Sequence, residues 1–191
     1  MRQTKMIQLL SRWKVSVLFY IKRIISGVLA CVTLLSFVAS AADFDEEYDV
    51  KQWQEMAVLM PVAPSKESLI PFYVSAATEN KFFIDGATLS VGEDGVVRYV
   101  LIVQTAGGAI NTSFDGMRCE SRERRIYASG RLDGSWSKSR NNEWVRIRDA
   151  GANGYYAVLF LEYFCPGGVI VRNAEEARSA LKAGSHPSGR R

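Results

Sequence analysis

Catalysis by a protein side chain needs a nucleophile beside a base, a pair of carboxylates or a set of metal ligands. Residues 135–138 (Ser-Trp-Ser-Lys) match the Ser-x-x-Lys pattern, in which lysine activates serine, but the Lys-Thr-Gly partner of that pattern is absent. The chain has one histidine, His186, near its C-terminus, so neither a Ser-His-Asp site nor a histidine metal site is predicted. The catalytic residues are unknown, and we expect no metal and no cofactor.

Four aspartates stand directly before a glycine: Asp85, Asp94, Asp115 and Asp133. Asp-Gly is a strong turn signal, because the carboxylate bonds to its own backbone and glycine tolerates positive φ. We therefore assign all four to turns and give none of them an acid–base role. A sequence does not show which carboxylates meet in space, so a hydrolase that acts through two carboxylates stays an open alternative.

Residues 118–148 form the densest basic region, with nine basic and four acidic side chains. Tyr127, Trp136 and Trp144 are interleaved with the arginines, and guanidinium and indole groups together bind anions and stack on sugars. We name the candidate binding residues the Arg/Trp surface: Arg118, Arg124, Arg125, Trp136, Arg140 and Trp144. In the alternative interpretation, these arginines lie on the solvent-exposed faces of strands and both tryptophans lie in the core. The acidic N-terminal segment then balances the positive charge of the arginines.

Residues 1–42 carry six basic side chains, all within 2–23, and no acidic one. An apolar run over 24–38 and small residues at 39–42 come after the basic side chains. This order predicts a secretory signal peptide. The run of 15 residues is shorter than the ~20 that span a bilayer, although an uncleaved signal anchor in the inner membrane is the alternative. Without residues 1–42 the chain has 18 basic and 20 acidic residues, so its basicity is a targeting signal and nucleic acid is not an expected partner.

The exported part is expected to be one globular domain over residues 43–183, followed by a disordered tail at 184–191. Cys119 and Cys165 are the two cysteines of this part, and in an oxidising compartment such a pair predicts a disulfide. Five of the seven residues at 43–49 are acidic, which predicts a solvated arm. One or two helical turns are expected at 50–56, before prolines that keep the next stretch extended.

The chain is organised around residues 95–119, which predict two long strands joined at Gly107-Gly108. Further Asp-Gly turns on either side of this hairpin indicate an antiparallel meander. Residues 155–164 are apolar nearly all round, so a buried helix and a central strand both fit them. Residues 174–183 predict a helix capped by Asn173 and ended by Gly184. The fold class is α+β: a meander of about five to six strands, one or two C-terminal helices and one disulfide.

Several longer blocks resemble a known family. They include LSVGEDGVVRYVL at 89–101, YASGRLDGSWSKSR at 127–140 and YFCPGG at 163–168, with shorter matches at 70–72, 82–85, 116–119 and Trp144. On these residues the chain resembles the CNP-one-like (CNP1-like) family of exported proteins of Gram-negative bacteria, from Phe44 to Ala183. The resemblance implies a periplasmic or envelope location. The family is uncharacterised, so the resemblance implies no reaction, cofactor or catalytic residue.

Two functions follow as hypotheses. The first is a non-catalytic binding module that takes an anionic envelope component or a protein partner on the Arg/Trp surface. The second is a hydrolase that acts on an envelope glycan through carboxylates the sequence does not identify. A hydrolase predicts a cleft with convergent acids of shifted pKa, whereas a binding module predicts an open face with exposed aromatic side chains. Neither hypothesis fixes the oligomeric state.

Overall fold

The structure is a computed structural model of the chain, and it describes residues 52–149, 151 and 154–189. The predicted signal peptide and the acidic segment at 43–49 lie outside the described residues. Residues 52–56 contain no helix, so the helical turns expected at 50–56 are wrong for this part. Residues 57–65, which include the prolines at 61 and 64, form neither helix nor strand, and a short 3₁₀-helix follows over Lys66–Ser68.

Eight strands form one antiparallel sheet, which confirms the predicted fold class. Six of them follow one another across the sheet in the order β1-β2-β4-β5-β6-β7, while β3 pairs with β4 and β8 pairs with β6. The strands are β1 (Leu69–Phe72), β2 (Lys81–Asp85), β3 (Ser90–Val91), β4 (Val96–Gln104), β5 (Ile110–Arg118), β6 (Glu123–Gly130), β7 (Trp136–Lys138) and β8 (Val145–Arg146).

The β4–β5 hairpin is the centre of the sheet, as the sequence predicts. Its nine residue pairs run from Val96 opposite Arg118 to Gln104 opposite Ile110. The turn between the strands has Gly108 at φ +86°, a conformation that side chains with a Cβ rarely adopt. Most of β4 is buried, because the sheet is covered on both of its faces.

The apolar stretch at 155–164 is helical, and this settles the choice that the sequence leaves open. It begins as α1 (Tyr155–Val158) and continues as a π-helix over Leu159–Phe164. A second helix, α2 (Ala174–Ala183), begins where the Asn173 side chain accepts a hydrogen bond from the Glu176 amide at 2.9 Å.

Side chains alternate between two faces of the sheet. On the helix face, Tyr99 and Leu101 of β4 join the core formed with α1, the π-helix and α2. On the other face, Val100 and Ile102 pack with Phe114 in a second, smaller cluster. The disulfide between Cys119 and Cys165 is confirmed, and it joins the end of β5 to the end of the π-helix.

The C-terminal segment at 184–189 lies beside α2 and the π-helix. The amide of His186 donates to the carbonyl of Glu162 at 2.7 Å, and its ring nitrogen Nε2 lies 3.2 Å from Glu176 Oε1. The disorder expected for residues 184–191 stays a prediction, for which amide hydrogen exchange is the measurement.

Candidate functional site

An extended segment, residues 52–64, lies along the sheet face opposite the helices. We call this segment the arm and the face beneath it the arm face. Burial along the arm repeats every third residue, with Glu55, Val58, Pro61 and Pro64 half-buried and the residues between them exposed. Three residues per turn is the period of a polyproline II helix, which keeps its backbone solvated. The arm therefore contacts the sheet mainly through one of its three sides.

The carboxylate of Glu55 is the centre of the contact between the arm and the sheet. It accepts hydrogen bonds from the Tyr127 hydroxyl at 2.5 Å, from Arg125 Nη1 and from Trp144 Nε1 at 3.3 Å. The guanidinium of Arg98 lies 3.7 Å away. We call these four groups the carboxylate clamp: the three hydrogen-bond donors Arg125, Tyr127 and Trp144, and the nearby Arg98 cation. They come from β4, β6 and the residue before β8.

A second carboxylate, that of Asp94, holds the Arg98 side chain of the clamp in position. Asp94, at the turn before β4, accepts from both terminal nitrogens of Arg98 at 3.1 and 2.5 Å. Asp94 also accepts from the amide of Met56 at 2.9 Å, and its carbonyl accepts from Trp53 Nε1 at 2.7 Å. Burial alone would raise the pKa of Asp94, but the hydrogen bonds from Arg98 and Met56 outweigh it and hold that pKa below its ordinary value. The carboxylate therefore stays ionised.

Aromatic side chains hold the arm at both of its ends. Trp136 Nε1 donates to the carbonyl of Pro61 at 2.7 Å, while the Trp136 ring packs on Phe114. At the other end the Arg118 guanidinium lies 4.0 Å above the Trp53 ring, and Trp53 meets Trp144 edge to face. Grooves lined by aromatic side chains are a recurring means of binding proline-containing extended segments.

The sheet is locally adapted to place Tyr127 under the arm. Phe114 pairs with Ala128 and Asp115 pairs with Ile126, so Tyr127 is the extra residue of a β-bulge. Gly116 lies directly beneath the phenol ring, where a Cβ would meet the Tyr127 hydroxyl. Burial and the hydrogen bond to Glu55 both raise the pKa of Tyr127, so this hydroxyl remains a donor.

The structure brings together four of the six residues of the Arg/Trp surface. Arg118, Arg125, Trp136 and Trp144 all contact the arm. Arg124 lies on the helix face, with its guanidinium 4.2 Å above the Tyr156 ring. Arg140 is exposed between β7 and β8.

Sequence reasoning missed the groups that organise the site: Trp53, Glu55, Asp94, Arg98 and Tyr127. One signal was present, because apolar residues fill the arm while Glu55, Pro61 and Pro64 are separated by multiples of three residues. The pairing of Glu55 with Tyr127 and Trp144 spans 72 and 89 residues of sequence, and no local pattern reports such contacts.

Asp115 is not in a turn, and its assignment there is wrong. It lies in β5, fully buried on the helix face, where the Tyr156 hydroxyl donates to Oδ2 at 2.8 Å. Its other oxygen has no hydrogen-bond donor, and the Tyr99 hydroxyl nearby is also unpaired. Burial raises the pKa of Asp115 to about 7, against the opposing influence of Tyr156, Ser113 and Arg124.

Three other carboxylates, Asp85, Asp133 and Glu176, form hydrogen bonds away from the arm face. Asp85 and Asp133 accept from the amides of Ala87 and Ser135, as expected in turns. Beside α2, Arg172 holds the pKa of Glu176 at about 2. Over the described parts of the chain, no group of three or more histidine, cysteine or acidic side chains is arranged to hold a metal ion.

The profile of the CNP1-like family matches residues 48–182. The chain belongs to the CNP1-like family. A relative, Cryptic neisserial protein 1 of Neisseria gonorrhoeae (strain ATCC 700825 / FA 1090), is 25% identical over 141 residues, which cover 65% of this chain and 69% of the relative. No solved structure matches the chain.

The match to the CNP1-like family includes the whole arm and all four residues of the clamp. The arm face is therefore part of the family domain and not an addition to it. Among the residues described by the structure, no helix is both long and apolar enough to cross a membrane.

Proposed function

We propose that this CNP1-like protein is an exported, non-catalytic interaction module of the Gram-negative envelope. Its arm face holds an extended polypeptide segment that carries a carboxylate. The observation that carries this proposal is the carboxylate clamp, where Arg125, Tyr127 and Trp144 donate to a single glutamate of a segment without secondary structure. Hydrogen bonds to a charged group contribute about 1.5–3 kcal/mol each, which makes a carboxylate a strong determinant of binding.

The way in which the arm is held supports binding of a separate segment. The arm joins no strand of the sheet, and the hydrogen bonds between residues 52–64 and the sheet all involve a side chain, such as Trp136 with the Pro61 carbonyl. A segment held by side chains can be exchanged without breaking a backbone ladder. In the isolated protein the arm occupies its own face, so a partner's segment has to displace it.

The hydrolase alternative receives less support from the geometry. Hydrolysis of a glycosidic bond uses two carboxyl groups roughly 5–9.5 Å apart across an open cleft. Asp115 has the shifted pKa expected of an acid, but it is fully buried beneath α1. Glu55 and Asp94 are occupied by arginine and aromatic donors.

The proposed location is the periplasm, after removal of residues 1–42. The test is to fractionate cells that express the full chain and to determine the N-terminus of the protein recovered. A soluble periplasmic protein that begins near residue 43 is the expected result. An intact N-terminus in the inner-membrane fraction would establish the signal anchor instead.

Binding is tested with the exported protein and a fluorescent peptide of residues 50–64. The variant Glu55→Ala weakens the attachment of the protein's own arm, so we expect it to bind the peptide more tightly than the native protein does. A matched peptide with glutamine in place of Glu55 is the control, and we expect at least ~10-fold weaker binding. Equal binding of the two peptides, or no binding to either protein, would contradict the proposal.

The same titration separates polypeptides from other anionic envelope components. Lipopolysaccharide fragments and anionic glycans are added as competitors at low and moderate salt. We expect them to leave the bound peptide in place, because Trp136 Nε1 and Tyr127 are positioned for a chain with a carbonyl and a carboxylate several residues apart.

A further inference from the structure

The arm carries an aromatic anchor two residues before the carboxylate of Glu55. Trp53 and Glu55 are half-buried, while Gln54 between them is exposed. Side chains at positions i and i+2 of an extended chain lie on the same side, so the indole and the carboxylate both face the sheet. Each meets its own set of groups there, and Trp144 contacts both.

Three groups from different parts of the sheet surround the Trp53 ring, and we call them the indole subsite: the carbonyl of Asp94, the guanidinium of Arg118 and the ring of Trp144. The carbonyl accepts a hydrogen bond from Trp53 Nε1 at 2.7 Å. The guanidinium lies 4.0 Å from the centroid of the Trp53 ring, and the Trp144 ring meets it edge to face at 5.8 Å between centroids. An acceptor, a cation over the ring face and an aromatic edge are together complementary to an indole.

The indole subsite distinguishes tryptophan from the other aromatic side chains. A phenylalanine ring has no N–H, so it would leave the Asp94 carbonyl without this hydrogen bond. Tyrosine carries its hydroxyl at the far end of the ring, whereas the indole N–H projects from the side of the ring. Of the aromatic rings, indole also binds a guanidinium most strongly, and Arg118 supplies one.

The sheet positions two groups of the indole subsite without help from the arm. Arg118 is the last residue of β5, and it pairs with β4 on one side and with β6 on the other. Asp94 lies in the turn before β4, in which the amide of Gly95 donates to the carbonyl of Gly92 at 3.0 Å. A site whose groups are fixed before binding loses less entropy when its ligand arrives. The subsite can therefore accept an indole from a separate segment as well as that of Trp53.

Asp94 also fixes the register of the bound segment. Its carbonyl accepts from the Trp53 side chain, and its carboxylate accepts from the Met56 amide, three residues further along. Arg98 donates to the same carboxylate and lies 3.7 Å from Glu55. A segment shifted by one residue would present the wrong side chain to the indole subsite and to the clamp. The spacing between the indole and the carboxylate is therefore part of the recognition.

We infer that the arm face selects polypeptide segments that carry a tryptophan two residues before a carboxylate. This inference rests on the proposed function and adds a second determinant to it: the carboxylate enters the clamp, and the tryptophan fills the indole subsite. The partner is a protein with an extended segment of the pattern Trp-x-acidic, and the protein's own arm covers the face until that segment displaces it.

The test is a binding titration of fluorescent peptides of residues 50–64 with the exported protein carrying Trp53→Ala and Glu55→Ala. The arm of this double variant leaves the indole subsite and the clamp open. In one peptide, benzothienylalanine replaces Trp53, which keeps the ring shape but has sulfur in place of the N–H. We expect this peptide to bind at least ~3-fold more weakly than the native sequence, and a Trp53→Leu peptide at least ~10-fold more weakly.

Two further peptides and one further protein variant sharpen this test. The control peptide carries Gln54→Ala at an exposed position and should bind like the native sequence. A peptide with one alanine inserted between Trp53 and Gln54 has the wrong spacing and should bind at least ~10-fold more weakly. Adding Arg118→Met to the protein should reduce the preference for tryptophan over leucine at position 53, while the preference for glutamate over glutamine at position 55 stays.

The outcomes separate this inference from the proposed function. Equal binding of the native and Trp53→Leu peptides would overturn the inference, and a weaker Glu55→Gln peptide in the same series would leave the proposed function intact. A preference for tryptophan that Arg118→Met does not reduce would also overturn the inference, since the indole would then bind elsewhere. No binding of any peptide would overturn both. Cooperative thermal unfolding checks that the double variant is folded, and Glu55→Ala alone takes its place in the same titrations if it is not.

Discussion

The two faces of the sheet bury charged groups in opposite ways. On the arm face, Glu55 and Asp94 are surrounded by donors from arginine, tyrosine and tryptophan side chains. On the helix face, Asp115 receives one hydrogen bond and its second oxygen receives none. The pKa of Asp94 is lowered, while that of Asp115 is raised to about 7.

This difference shows that the number of donors, and not burial alone, decides the protonation state. Both carboxylates lose water, and desolvation is the first cause of a shift in the pKa of each. Only Asp94 is compensated by a guanidinium that donates twice. The arm face is therefore a polar site that needs its charges, whereas the apolar core of the helix face would be more stable without the charge of Asp115.

The largest effect is expected at the disulfide, which fastens the helix face. Replacing Cys119 and Cys165 with alanine frees a loop that spans 46 residues. The chain-entropy relation then predicts a loss of about 4 kcal/mol in the free energy of unfolding. Urea unfolding monitored by circular dichroism is the measurement, and an unchanged midpoint would show that packing alone holds the π-helix.

The next effect is expected when the arm face loses its central cation. Arg98→Met leaves the Asp94 carboxylate, whose side chain is 2% exposed, without its ion-pair partner. Removing one partner of a buried pair costs about 3 kcal/mol. Arg172→Met removes an exposed partner and serves as the control, with no change expected. Equal unfolding midpoints for the two variants would contradict our description of the arm face.

A smaller effect is expected at Asp115, where a substitution should increase the free energy of unfolding. The size of this increase depends on pH. Its pKa is about 7 in the folded protein and near 3.8 in the unfolded chain, so between these values the folded state binds more protons. Stability should therefore fall as pH rises through this window and stay level above it. Asp115→Asn removes this dependence and should stabilise the protein by roughly 2 kcal/mol at about pH 8.

Thermal unfolding from acidic to mildly alkaline pH measures this dependence. Asp133→Asn, at an exposed turn, is the control and should keep the slope of the native protein. The same fall in stability for Asp115→Asn as for the native protein would show that another group titrates.

The smallest effect is expected beneath the arm. Gly116→Ala places a Cβ against the Tyr127 hydroxyl, which has to move away from Glu55. The loss of one hydrogen bond to a carboxylate predicts a decrease of about 1.5 kcal/mol in the free energy of unfolding, the lower end of the range for hydrogen bonds to charged groups. Acrylamide should quench the fluorescence of Trp53 and Trp144 more strongly in the Gly116→Ala variant than in the native protein, because both indoles pack at this end of the arm. Unchanged quenching would mean that Tyr127 does not hold the arm.

Much of the fold could be predicted from the sequence, since its signals are local. Gly107-Gly108 identified the central hairpin, and Asn173 with Gly184 identified α2. The disulfide followed from the number of cysteines and the expected compartment. The local sequence could not decide whether residues 155–164 form a helix or a strand. A short run that is apolar on all sides fits both the 3.6-residue period of a buried helix and the two-residue period of a buried strand.

The site was less predictable for a physical reason. The clamp residues lie on β4, on β6 and before β8, and they converge on Glu55 only once the sheet has formed. Arg98 stands within an apolar strand and gave no sign of its role. The Asp-Gly rule placed Asp94 correctly at a turn but failed for Asp115, because the same dipeptide lies within β5, where glycine makes room for Tyr127.

The long sequence separation between Glu55 and its donors also means that the arm is synthesised well before the face that binds it. The ribosome releases Glu55 early, whereas Trp144 follows 89 residues later. At a translation rate of about 5–20 residues per second, several seconds pass in which the arm has been made and its binding face has not. The arm therefore cannot complete its contacts before Trp144 has been made, and a chaperone that binds extended apolar segments can meet the arm before the sheet has formed.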